Sequence, residues 1–239
     1  MSAALAQIFS LTLIPVVATI LGGVVASYRA PGEQLRSFVQ HFAAGVVFAV
    51  VAGELLPEIT KGHQPLGVVI GFTLGVGVLL AVRQFAERLE RRSGSQGESG
   101  LIAAVATDVL IDGLLIGVGF AAGTRVGVLL IVALTLELLF LGVSVASSLG
   151  QSGQPRRRII LTVVGLSLAV IVGSLLGGTL LQGLSGLALE IVLSFGAAAL
   201  LFLVTEELLT EAHEVKETPL ITAAFFAGFV SLYLIELST

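Results

Sequence analysis

Two stretches of this chain, residues 41–58 and 194–211, are versions of one segment, and both finish in acids. The first reads HFAAGVVFAVVAGELLPE and the second SFGAAALLFLVTEELLTE. At a constant offset of 153, Phe42 falls on Phe195, Ala44 on Ala197, Glu54 on Glu207, Leu55 on Leu208, Leu56 on Leu209 and Glu58 on Glu211. Each copy is apolar and of membrane-spanning length. In each, the two acids are four residues apart, about one helical turn, so each pair shares a helix face. A carboxylate at the centre of a membrane helix costs at least ~2.5 kcal/mol. Two matched pairs therefore point to a transporter built from internal repeats.

Composition narrows the class. The chain has 239 residues, of which 56% are hydrophobic and 12% charged. Soluble domains carry about 25% charged residues, so an ordinary soluble fold is excluded. There is no cysteine, which removes disulfides and thiolate metal ligands. The basic residues lie in short loops without interleaved aromatics, so no nucleic-acid partner is expected. No basic segment precedes the first apolar run, which is read as a retained span rather than a cleaved signal peptide.

A span needs about 20 apolar residues. Eight candidates emerge, at about 8–28, 38–59, 65–86, 101–122, 126–149, 158–181, 187–210 and 219–237. The expected fold is an all-α integral membrane protein, one transmembrane domain over 1–239. Orientation follows the basic loops. Arg29, Arg36, Arg83, Arg88, Arg91, Arg92, Arg156, Arg157, Arg158 and Lys216 fall on one side, leaving only Lys61 and Arg125 of the 12 basic residues on the other. The first side is assigned to the cytoplasm, so both termini of this multi-pass cell-membrane protein face outward. Glu54 and Glu58 then lie at the outer end of span two, and Glu207 and Glu211 at the inner end of span seven. Equivalent acids at opposite faces are the mark of an inverted repeat. Spans one to three (8–86) pair with six to eight (158–237), leaving a central hairpin at 101–149. The glycines Gly22, Gly23, Gly45, Gly71, Gly75 and Gly77 are expected to let helices approach closely.

The deepest acids are elsewhere. Asp108 and Asp112 are again four apart in span four, and Asp112 lies near its midpoint. Glu137 lies near the midpoint of span five, with Ser144 seven residues on and roughly on the same face. Antiparallel neighbours can bring Asp112 and Glu137 to one depth. Three carboxylates in an apolar bundle need protons or a cation to compensate them. Oxygen-only ligands suit hard cations such as magnesium, calcium or manganese better than zinc. The acids at span ends, Glu58 and Glu211, are ordinary if solvated. The three histidines, His41, His63 and His213, avoid mid-span positions; His41 is expected at the interface, and the other two in solvent.

AAGVVFAVVAGELLPE in span two, EELLTE in span seven, the eight spans and the arginine-bearing loop after span three together resemble the ZIP (Zrt-/Irt-like protein) family of divalent metal transporters. The family's markers are an AG…HLLPE pattern in its second span and an EELLPE-like pattern in its seventh. The resemblance implies a 3+2+3 arrangement, a metal site between spans four and five, and often a homodimer. It also implies departures. Where the family's fourth span has His-Asn-x-x-Glu-Gly, this chain has Asp108, Val109 and Asp112-Gly113. Where the fifth has His-Glu-x-Pro-Glu-Gly, Glu137 takes the histidine position and Leu141 that of the second glutamate, before Gly142. Glu54 stands where span two usually has histidine. Ile111 and Phe140 stand where spans four and five usually have proline.

The expected function is transport of a divalent cation, with manganese, iron or zinc as candidates, through a site of Asp108, Asp112 and Glu137. Glu54, Glu58, Glu207, Glu211 and Ser144 would line the path. The partners are that cation and the lipid bilayer, with no other cofactor. The alternatives are transport of protons, sodium or another non-metal substrate, or a membrane protein that binds or regulates without transport. Catalysis is not expected, since there is no His-Glu-x-x-His and no mid-span histidine.

Overall fold

In a computed structural model of the chain, residues 3–92, 98–181, 183–213, 215–216 and 218–238 are described. Among the described residues, eight helices are long and apolar enough to cross a membrane: α1 Ala4–Tyr28, α2 Glu33–Gly62, α3 Pro65–Gln84, α4 Gly100–Ala122, α5 Thr124–Gln151, α6 Arg156–Leu180, α7 Gly186–Ala212 and α8 Pro219–Leu237. No strand occurs among the described residues. These helices correspond to the eight expected spans, with ends shifted by a few residues. Residues 93–97 of the linker expected after span three lie outside the described residues.

Packing follows the small residues. Helices α1, α4, α5 and α6 pack on one another, while α2 pairs with α8 and α3 with α7. A Cβ added at Gly45 would strike the Phe225 carbonyl oxygen, and one at Gly228 the Phe42 carbonyl oxygen. One at Gly75 would stand 2.9 Å from the Phe195 carbonyl oxygen and 2.8 Å from the Ala198 Cβ. Backbones this close give the dispersion contact that replaces a hydrophobic drive inside lipid. Gly77 differs from expectation. Nothing lies within 4 Å of its would-be Cβ, because it sits off the face that α3 turns toward α7.

These contacts come in mates. Phe72 and Gly75 of α3 fall on Phe225 and Gly228 of α8 at the same offset of 153 that links α2 to α7. Gly22 abuts the Leu139 carbonyl oxygen, as Gly173 abuts that of Leu110. Gly142 abuts the Thr19 carbonyl oxygen, as Gly113 abuts that of Val170. Exchanging α1 with α6, α2 with α7, α3 with α8 and α4 with α5 carries each contact into its mate.

One backbone feature had no sign in hydropathy. Both α2 and α7 open into a π-helical turn, at Val51–Leu55 and Leu203–Leu208. These are equivalent positions, and they carry Glu54 in one copy and Glu206 and Glu207 in the other. The cause lies just beyond. Pro57 has no N–H to donate and its ring crowds the carbonyl one turn back. At the equivalent position, the Thr210 hydroxyl donates to the Thr205 carbonyl, five residues back, at 3.1 Å. π-Turns of this kind are frequent at functional sites.

Candidate metal centre

Asp108 and Asp112 on α4 and Glu137 on α5 come together. One carboxylate oxygen from each lies within 4.8 Å of the others. Asp112 is 1% and Glu137 3% exposed. The helices reach this register because Gly113 and Gly142 let α4 and α5 settle against α6 and α1. Under the exchange of helices, Asp108 and Glu137 are equivalent, both 29 residues apart like Leu110 and Leu139. Asp112 is matched by Leu141, so the third acid has no counterpart.

The carboxyls of Asp112 and Glu137 lie in hydrogen-bonding reach of one another, as do those of Asp108 and Glu207. Glu207, expected on the path, thus touches the cluster directly. Asp112 Oδ2 and Glu137 Oε2 are buried without a hydrogen-bond partner among the described residues. Buried carboxylate oxygens are rarely left so, and each needs a proton or a cation.

A cavity of about 30 Å³ opens from the cluster, lined on its polar side by Gln40, Asp108, Glu137, Ser144, Glu207 and Glu211. One water needs roughly 10–15 Å³, so a small cation with a water fits. Glu211 is held by Gln40, whose Nε2 donates to its Oε2 at 2.6 Å. That contact also shows that the end of α7 lies beside the start of α2, so the two copies run antiparallel. Glu54 and Glu58 accordingly lie at the opposite end from Glu207 and Glu211.

At that opposite end, Glu54 and Glu58 do not join the cavity. Arg125 Nε donates to Glu54 Oε1 at 2.9 Å, and Arg125 Nη2 to the Glu236 carbonyl oxygen at 2.8 Å. Glu58 accepts from Lys61 Nζ at 2.7 Å. On the cavity's side, Arg83 pairs with Glu206 at 2.9 Å. The Arg125 side chain is 51% exposed, and such pairs contribute at most about 1 kcal/mol. Arg125→Gln is therefore expected to lower the melting temperature in detergent by no more than about 2–4 °C. A larger fall would mean that Arg125 holds α2, α5 and α8 together.

Val109 and Leu141, which the family resemblance sets at ligand positions, line a separate apolar cavity of about 10 Å³ with Thr19, Val105 and Val163. A second metal has no charged donor there. His41 is buried rather than interfacial, at 3% exposed. Its ring packs edge-on against His213, centroids 5.1 Å apart. Sequence reasoning passed over Gln40, which is polar in an otherwise apolar span. It also passed over Glu190 and Glu236, single acids in apolar runs without an i+4 partner.

No protein-family model matches the chain. A curated protein named Zinc transporter ZIPB, from Bordetella bronchiseptica, is 29% identical over 241 aligned positions, covering 92% of this chain and 77% of that protein. This likeness supports membership of the ZIP family. That relative is named as a transporter rather than an enzyme. The likeness extends across most of the chain, so it takes in the helices that hold Asp108, Asp112 and Glu137 as well as the two acidic motifs. Across most of its length the chain is similar to that transporter, and its central cluster consists of carboxylates alone.

Proposed function

We propose that this chain moves a divalent metal cation across the membrane through a single site of Asp108, Asp112 and Glu137. The observation that carries the reading is the buried cluster itself, with two carboxylate oxygens unpartnered at its heart. The relative's name supports metal as the cargo. The helices would form an inverted repeat, α1–α3 against α6–α8, and the mated glycine contacts support extending that relation to α4 and α5. The basic loops assign the Glu207 end to the cytoplasm and both termini to the outside. The cation would leave by the cavity that Glu207, Glu211 and Ser144 line, after entering past Glu54 and Glu58. Gln40 holds Glu211 in place at that exit. A homodimer, implied by the family resemblance, belongs to the same reading.

The donor set favours a cation harder than zinc. Three carboxylates suit manganese better than an ion that prefers nitrogen and sulfur, and Val109 and Leu141 leave no room for a second metal's ligands. The test is uptake into proteoliposomes of the purified protein, comparing manganese, iron(II), cobalt, zinc, cadmium and magnesium. Saturable uptake with manganese or iron(II) ahead of zinc is expected. Folded protein that takes up none of them would overturn the reading and favour a binding or regulatory role.

A further inference from the structure

One face of α5 is open on one side of the cluster and sealed on the other. Leu130 and Leu134 stand seven and three residues before Glu137, and Ser144 seven after it, so all four share a helix face. Ser144 lines the cavity at the Glu207 end. Leu130 and Leu134 are 1% and 0% exposed, and they belong with Ile116 of α4 and Val51 of α2 to one packed apolar cluster. The half of the bundle that leads from Glu137 toward Glu54 is therefore shut.

Arg125 stands at the end of that shut half, five residues before Leu130. Its guanidinium joins α5 to two other helices. Nε donates to Glu54 Oε1 at 2.9 Å, on the π-turn of α2, and Nη2 donates to the Glu236 carbonyl oxygen at 2.8 Å, at the end of α8. The Glu54 side chain is only 13% exposed, so the guanidinium covers an acid already largely removed from water.

The opposite end is bound differently. There Arg83 of α3 pairs with Glu206 on the π-turn of α7. The offset of 153 carries Arg83 onto Glu236 and Glu206 onto Gly53. The Glu54 end thus has an acid where its mate has the arginine, and a glycine where its mate has the acid. A Cβ at Gly53 would strike the Glu236 carboxylate, so Glu236 leans on the π-turn that holds Glu54. The positive charge at this end comes from outside the repeat, on the α4–α5 hairpin.

We propose that Arg125 is the latch of the Glu54 end: its hydrogen bonds to Glu54 and to α8 hold that end shut while the cavity at the Glu207 end stands open. An entering cation reaches Glu54 only after the guanidinium has left it. The latch stands on its own geometry; the passage of a cation rests on the reading above. A guanidinium suits the part, because its planar fork meets two acceptors at once in a way that a lysine ammonium does not reproduce. The latch is also weak enough to open in turnover, since a pair of this exposure shifts a two-state equilibrium by no more than about fivefold.

The chain has no cysteine, so single introduced cysteines report which end is open. Purified full-length protein in detergent carries either Leu130→Cys, in the shut half, or Ser144→Cys, on the cavity, and is labelled with a water-soluble maleimide. With Arg125 in place, Ser144→Cys is expected to label and Leu130→Cys to label far more slowly. Arg125→Gln should speed the labelling of Leu130→Cys about two- to fivefold and that of Ser144→Cys not at all. Glu54→Gln should act in the same direction, and the two together should do no more than either alone. Val51→Cys, a smaller change of volume, repeats the measurement if Leu130→Cys disturbs folding. Labelling of the shut half unchanged by Arg125→Gln would overturn the latch. So would faster labelling of both cysteines together, the mark of a bundle that has merely loosened. Either result leaves the transport reading intact, because uptake by native protein decides that separately. The expected labelling, with no cation taken up by native protein, would sustain the latch and overturn the transport reading.

Discussion

Asp112→Asn and Glu137→Gln are each expected to abolish metal uptake while the protein remains folded. The carboxylates of the cluster lie within 4.8 Å of one another, and neither Asp112 nor Glu137 reaches solvent. Each substitution keeps the shape of the side chain and removes one anionic donor. Losing even a residue that supports a ligand costs roughly 10–100-fold in affinity, so losing one of the three carboxylates proposed as direct ligands is expected to cost at least as much. Folding responds differently. Without metal, the cluster holds like charges or shared protons at close quarters, and an amide in place of one carboxyl relieves that crowding. The melting temperature without metal is therefore expected to hold or rise in both variants. The native protein should gain stability on adding its cation by mass action, and the variants should gain little. Uptake that persists at the native rate in both variants would remove the central site from the mechanism.

Much of this was legible in the sequence, for a definite reason. Acids are scarce in apolar helices, so Asp108, Asp112 and Glu137 stand out against their surroundings, and spacing alone places Asp108 and Asp112 on one face. The two copies around Glu54 and Glu207 were visible because both the acids and their neighbours match. Other features depend on contacts between helices, which hydropathy does not carry. Phe72 and Gly75 match Phe225 and Gly228 only two residues in four positions, too sparse a signal until Gly75 and Gly228 are each seen against a phenylalanine carbonyl. The π-turns answer to Pro57 in one copy and to Thr210 in the other, two unlike residues at one position. Glu190 was hidden by being single: without an i+4 partner it reads as a stray acid near a helix start. Gly77 misled in the other direction, since composition cannot say which face of α3 meets α7.

Gly45→Val and Gly228→Val should each prevent α2 and α8 from closing, and each should cost the protein more than any charge substitution outside the central cluster. At both positions the new Cβ would fall on a backbone carbonyl oxygen, of Phe225 and Phe42 respectively. A carbonyl inside a helix cannot turn aside as a side chain can, so the two helices must move apart along their length. Overpacking costs about 1–3 kcal/mol where side chains can adjust, and a shift of backbone against backbone stands at the upper end or beyond. For a chain of this size each kcal/mol is worth about 2–4 °C, so a fall of roughly 5–10 °C in detergent is expected for either variant. Gly77→Val supplies the control, because its Cβ meets nothing within 4 Å and the melting temperature should barely move. The double variant Gly45→Val/Gly228→Val should cost less than the sum of the two, since one separation of α2 from α8 relieves both clashes. Strict additivity would mean that each glycine relaxes locally and that the two helices do not pack as one unit. The consequence reaches the site, because α2 also carries Gln40, which holds Glu211 at the mouth of the cavity. A helix displaced by the bulk of a valine cannot keep that 2.6 Å contact, so uptake should fall in these variants even at temperatures where they remain folded.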